Sequence, residues 1–361
     1  MEKYVYDGNL VFVNILITIV CVCKYRQSYN NVYWNKASNY TFIGLMMILY
    51  SVFAFAEADT YHYHEIYDEM LITKHPIHVE YFYYYLIEIL PENYYLWRLA
   101  IWGTSVVLLI KCFKLLNIDS SIVGLLAPIV LFSQFSLTRG ALGFCLMLYA
   151  LVYIMNNRYS IYKIAIGLCL IYISIFLHRT ILVFICLIPI AVLLPLNRKI
   201  LITSLILFPF LYLGINRYVD YLILTANVSD DLIHHAELYT TEMEKVTANW
   251  KGMIQIVIVW SSILLAIIQL CSYYIKNNNS HIIILLKCSY IFVYLAALFY
   301  GQNYSNFLYS RFIHAALFPL IVCLGDYFYE KKSRTKLDYL VLLLFTINTF
   351  YNLFYFAWKW R

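Results

Sequence analysis

Three arginines and two histidines stand at the ends of apolar runs, where their side chains can reach a charged or hydroxylic ligand. Arg139 opens one run, His178 and Arg179 close the next, and Arg311 with His314 opens a late one. A guanidinium presents a planar fork of N–H donors that matches phosphate oxygens. Arg139, Arg179 and Arg311 are therefore candidate ligands for a pyrophosphate held at a membrane surface. An imidazole can take a proton from a reacting hydroxyl or return it, which makes His178 a candidate base. His314, three residues after Arg311, shares a helix face with it. Asp59 is a second candidate base, and Tyr63 and Tyr67 follow it at helical spacing as platforms for sugar rings. Glu80 and Arg98 are further candidates for holding a sugar. Each residue also has a plainer reading. Arginines at span ends snorkel, an interfacial histidine is a hydrogen-bonded polar tip, and Asp59 can cap a helix whose tyrosines lie among headgroups.

The elements that must position these residues follow from composition. The chain of 361 residues is 63% hydrophobic and only 13% charged, with a mean hydropathy of +0.71. A soluble domain of this size could not enclose so much apolar surface, so the class is all-α and membrane-integral. Aromatics reach 19%, led by 37 tyrosines, and many cluster at the ends of apolar runs as an interfacial belt would. The nine cysteines are scattered and form no C-x-x-C pair, which reads as buried thiols. His62, His64, His75 and His78 near Asp59 and Glu65 lack the tight spacing of a zinc site, so no metal is expected. The charge of +6 is spread over short loops and does not point to nucleic acid. No cleavable signal peptide is read at Met1, and no P-loop, nucleophile elbow or dinucleotide turn is found, so no cofactor is expected.

Hydropathy predicts about twelve spans, each near the ~20 residues that cross a bilayer, in a single transmembrane domain over 1–361. The spans are Leu10 to Cys23, Tyr40 to Ala56, Tyr95 to Leu116, Ile122 to Leu137, and two flanking a hairpin at Asn156. Six more follow: Ile181 to Leu196, Ile200 to Ile215, Met253 to Ile275, Ile282 to Tyr300, Phe312 to Tyr327 and Leu337 to Trp358. Alternation gathers Lys24, Arg26 and Lys36; Lys111 and Lys114; Arg158 and Lys163; Arg198 and Lys199; Lys276; and Lys331 to Lys336 on one side, which is then cytoplasmic. Both termini are expected outside. So are two aqueous segments, 57–93 and 216–251, with an aromatic stretch from His78 to Leu90 read as a short interfacial or re-entrant helix. Arg139, Arg179 and Arg311 then lie on the face that this charge rule depletes of cations. That placement raises them above snorkelling.

Several stretches resemble a known family. A-D-T-Y-H-Y-H-E-I-Y at Ala58, H-V-E-Y-F-Y-Y-Y-L at His78, S-L-T-R-G-A-L-G-F-C-L at Ser136, I-F-L-H-R-T-I-L-V at Ile175 and Y-S-R-F at Tyr309 together are similar to the EpsG/Wzy-type polysaccharide polymerases of bacterial envelopes. Asp59 with Tyr63, Arg139, His178 and Arg311 match that family's short motifs in order. Glu57 stands where a glycine is usual, and Arg179 where a small residue is common. The resemblance implies a GT-C-like fold in the bacterial cytoplasmic membrane. It implies a glycosyltransferase, independent of metal and nucleotide, that joins undecaprenyl-pyrophosphate-linked repeat units into O-antigen, capsule or exopolysaccharide on the external face. Donor and acceptor would both be lipid-linked glycans, with membrane lipid around them and a chain-length regulator as a further partner. Other classes stay open. A flippase or exporter of lipid-linked sugars predicts charges lining a mid-bilayer cavity, and a membrane acyltransferase would use an interfacial histidine on a donor supplied from inside. A ligase that moves finished glycan is a close chemical neighbour.

Overall fold

A computed structural model describes residues 58–76, 80–118, 138–225, 250–276, 280–300, 306–330 and 335–359. Every regular element among them is an α-helix: α1 Ala58–Thr73, α2 Tyr81–Ile89, α3 Tyr94–Leu115, α4 Thr138–Asn156, α5 Ile161–Leu177, α6 Ile181–Leu193, α7 Arg198–Thr225, α8 Trp250–Tyr274, α9 Ser280–Phe299, α10 Asn306–Glu330 and α11 Lys336–Lys359. Such a choice is what hydrocarbon solvent imposes, since a helix satisfies its backbone donors and acceptors within one segment. Four helices are long and apolar enough to cross a membrane: Tyr94–Leu115, Val257–Tyr274, Ile282–Phe299 and Arg311–Glu330. Gly140–Asn156, Ile161–Leu177, Ile181–Leu193 and Lys199–Gly214 are shorter apolar helices. Pro189, Pro209 and Pro319 sit inside α6, α7 and α10 without ending them. The expected spans at Leu10 to Cys23, Tyr40 to Ala56 and Ile122 to Leu137 lie outside the described residues.

Two boundaries differ from the expectation: α10 begins at Asn306, six residues before Phe312, so Arg311 lies in its second turn, and α7 ends late. Ile215 was to be the last residue of its span, followed by an aqueous segment from Asn216. Instead α7 runs on to Thr225. Val219, Leu222 and Ile223 recur at three and four residues, so the helix keeps an apolar stripe beyond the polar Asn216 and Arg217. The aromatic stretch after His78 forms the nine-residue α2, with Tyr83 and Ile87 buried and Tyr81, Phe82, Tyr85 and Ile89 exposed.

The chain divides into two compact units. The first comprises Met1–Leu182, Leu324–Arg334 and Phe345–Arg361, the second Val183–Cys323 and Thr335–Leu344. In the first unit α3 and α4 run parallel. Their C-termini meet where Asn156 Nδ2 donates to the Leu115 carbonyl. At the other end Trp97 and Ile101 of α3 share one buried cluster with Leu142 and Leu146 of α4. Asn117, at φ 59°, closes α3 in a left-handed turn. Asn117 N–H there bonds to the Lys114 carbonyl at 3.1 Å and Ile118 N–H to the Phe113 carbonyl at 2.8 Å. A tight turn at Asn157 then returns the chain through α5, antiparallel to α4. In it Lys163 Nζ donates to Asn157 Oδ1 at 3.0 Å, and Ser160 caps α5.

In the second unit Asp338 anchors the start of α11. Its carboxylate accepts from Gln269 Nε2 of α8 at 2.8 Å and from Thr335 N and Oγ1 at 2.6 and 2.9 Å. Tyr294 Oη of α9 donates to the Ser204 carbonyl of α7 at 2.8 Å, and Phe184 of α6 packs edge-on against Phe292 and Phe312.

Close approach of α4 and α5 depends on Gly167, where a Cβ would overlap Ile154 Cγ1; Gly214 on α7 has open space around it. Gly167→Leu is expected to destabilise the fold by about 1–3 kcal/mol through overpacking. Gly214→Ala is expected to be neutral or to stabilise by about 0.5–1 kcal/mol through helix propensity. Thermal melts of the two purified variants in one detergent check both signs.

Candidate functional site

Asn93 starts the assembly. Its Oδ1 accepts from Tyr95 N at 2.9 Å and Leu96 N at 3.2 Å, capping α3. The cap sets the first turn of α3, which presents Trp97 to its neighbours. Trp97 is fully enclosed. Its ring centroid lies 5.7 Å from that of Tyr67 on α1, 6.3 Å from Tyr83 on α2 and 5.9 Å from Tyr94. Its indole N–H donates to the Tyr83 carbonyl at 2.9 Å. One side chain thus holds α1 and α2 against the start of α3. A second tie closes the loop between α1 and α2, where Tyr84 Oη donates to the Lys74 carbonyl at 2.8 Å.

With α2 so placed, its N-cap residue Glu80 meets the end of α5. His178 leaves the helix with extended backbone, φ −161° and ψ 109°, while its N–H still bonds to the Ser174 carbonyl at 3.1 Å. His178 Nδ1 stands 3.3 Å from Glu80 Oε1, and the two side chains are only 7% and 14% exposed. An ionised carboxylate only accepts, so the tautomer that bonds to it carries its hydrogen on Nδ1, which leaves Nε2 as the basic nitrogen of a neutral ring. Phe144 lies edge-on to the imidazole at 6.1 Å.

Gly143 on α4 makes this approach possible. A Cβ there would overlap Ile181 Cδ1 and come within 3.2 Å of His178 Cβ. Arg139 is four residues before Gly143, one turn away on the same face of α4. The α4 face that carries Arg139 is therefore the face against which the His178 turn packs. Arg179, next in that turn, is exposed.

The site residues expected from sequence are thus distributed as follows. His178 and Glu80 come together, although Glu80 was expected to hold a sugar and instead pairs with the histidine. Tyr67 is enclosed in the aromatic cluster; burial raises its phenol above the usual value, with the Asn93 backbone opposing. Arg98 is enclosed, at 1% exposure, with neither Nε nor Nη2 hydrogen-bonded. Asp59 and Tyr63 fall in the first turns of α1 and Arg139 in the first turn of α4, but the side chains of all three lie outside the described set. Arg311 and His314 belong to the second unit, both on α10, with His314 buried. Sequence reasoning missed Trp97 and Gly143. The only trace of Gly143 was the run of small residues after Arg139, and Trp97 was one aromatic among many.

No protein-family model, curated protein or solved structure matches this chain.

Removal of the indole should separate α2 from α3. Trp97→Ala is expected to cost about 3–5 kcal/mol, and Trp97→Phe about 1–3 kcal/mol because the indole N–H no longer bonds to the Tyr83 carbonyl. Hydrogen exchange of residues 80–92 in detergent micelles should accelerate in both variants, more in the first.

Proposed function

We propose that this chain is an integral membrane glycosyltransferase that polymerises lipid-linked oligosaccharide repeat units into a surface polysaccharide. The reading places about twelve spans of GT-C-like type in the bacterial cytoplasmic membrane, with the His178 end outside. The observation that carries it is the buried His178–Glu80 pair packed against the α4 face that Arg139 opens. A histidine oriented through Nδ1 by a carboxylate is the arrangement a general base needs, and guanidinium groups nearby suit a phosphate leaving group.

The step follows from these groups. His178 Nε2 takes the proton of an acceptor sugar hydroxyl, whose oxygen attacks the anomeric carbon of the donor glycan. The bond from that carbon to the carrier's pyrophosphate breaks, and the leaving pyrophosphate keeps the electron pair. Glu80 stabilises the imidazolium that forms. Arg139 and Arg179 are the proposed ligands for the charge developing on the pyrophosphate, and Asp59 is the proposed alternative base; Arg311, on α10 of the second unit, is a separate candidate for binding pyrophosphate. The donor arrives already activated, so no nucleotide is consumed.

The test is a glycan gel from the native host with the gene deleted and then restored. Deletion should abolish the polymer ladder while single repeat units are still exported, and the wild-type gene should return it. His178→Ala is expected to lower polymer formation about 100-fold or more, and Glu80→Gln by a smaller factor. A full ladder with His178→Ala would remove the histidine from the chemistry. Repeat units accumulating inside the deletion strain would instead favour a flippase, and an unchanged ladder an acyltransferase.

A further inference from the structure

Arg98 is the charged group for which the fold described above has no use. Its side chain is 1% exposed, and two of its three guanidinium nitrogens are enclosed without a hydrogen-bond partner. A buried guanidinium cannot shed its charge by losing a proton, so enclosure without an anion is strongly unfavourable. Sugar hydroxyls would satisfy its N–H groups but leave that charge uncompensated. The chemistry that fits is an oxyanion.

The parallel helices add a second observation. Leu115 and Asn156 meet at one end of α3 and α4. Arg98 and Arg139 each stand seventeen residues before those two positions, or about 25 Å at ~1.5 Å per residue. The two arginines therefore lie at one level on neighbouring helices, at the end of the unit that carries His178.

We infer that Arg98 is a buried ligand for a pyrophosphate group, which it holds at the level of Arg139. It acts as a fixed counter-charge to that group. Identifying the pyrophosphate as that of a lipid carrier rests on the proposed function; the oxyanion site itself does not. The sequence placed Arg98 with the sugar ligands, and its enclosure moves it to the phosphate.

The experiment uses the full-length purified protein in nanodiscs of zwitterionic lipid. Thermal melts are recorded alone, with inorganic pyrophosphate, with a short prenyl pyrophosphate, and with anionic phospholipid added to the disc. Wild type should melt a few degrees higher with either pyrophosphate, less so at high salt. Arg98→Met should lose that shift and weaken binding about tenfold or more. Without ligand it should melt at or above wild type, because an unpaired buried charge has gone. Arg98→Lys keeps the charge without the fork and should retain only part of the shift.

Three results would overturn the inference: an undiminished pyrophosphate shift in both variants, an Arg98-dependent shift with anionic phospholipid alone, or a lower melting temperature of ligand-free Arg98→Met. The last would show that an acidic group of the chain itself holds the guanidinium. A separate readout keeps the two readings apart. If Arg98→Met abolishes binding while deletion leaves the glycan ladder unchanged, the oxyanion site stands and the polymerase reading falls. If deletion removes the ladder while Arg98→Met binds as wild type, the reverse holds.

Discussion

The candidate site depends on the enclosure of Trp97. Its indole touches rings from α1, α2 and α3 and donates to the backbone of α2 at Tyr83. A nine-residue helix such as α2 is too short to be stable by itself. Packing against Trp97, with Ile87 buried beside it, makes it an element with a fixed place. Glu80 is the N-cap of that helix, so the position of its carboxylate is inherited from an indole seventeen residues later in the chain. Through it the indole also sets the carboxylate that faces His178 at the end of α5.

Buried charges divide this protein by what surrounds them. Asp338 is buried and fully engaged, with donors from Gln269 and from Thr335 main chain and side chain. That is a structural use of a carboxylate, since it ties α11 to α8 and starts the helix. Glu80 and His178 face each other at 3.3 Å, carboxylate to imidazole. Arg98 has no such compensation in its two enclosed nitrogens. In a low-dielectric surrounding these are different energetic situations, and they separate structural charge from charge that awaits a ligand.

Much of the helical layout could be read from hydropathy. Nine of the expected spans coincide with helices α3 to α11 to within a few residues, apart from the continuation of α7 to Thr225 and the start of α10 at Asn306. That the aromatic stretch after His78 forms a short helix was also legible. Return of the chain at Asn157 was also legible, and with it the placing of the start of α4 and the end of α5 at one end of a hairpin. The pairing of Glu80 with His178 was not, because ninety-eight residues separate them. Nor does any local pattern say which of many interfacial tyrosines and tryptophans is enclosed. Tyr63 and Tyr67 looked equivalent by spacing, yet Tyr67 is part of the packed cluster.

By itself the sequence determined that this chain is helical and built for an apolar solvent, and roughly where most of its described helices from Tyr94 onward lie. Those properties follow from runs of side chains and from the need of each backbone segment to satisfy its own hydrogen bonds. Tertiary structure alone decided which terminal residues meet, which are enclosed and which keep their charge unanswered. Gly143 shows why: its lack of a side chain matters only because another turn of chain packs there. Contacts of that kind depend on distances between segments far apart in sequence, and no periodicity within either segment encodes them.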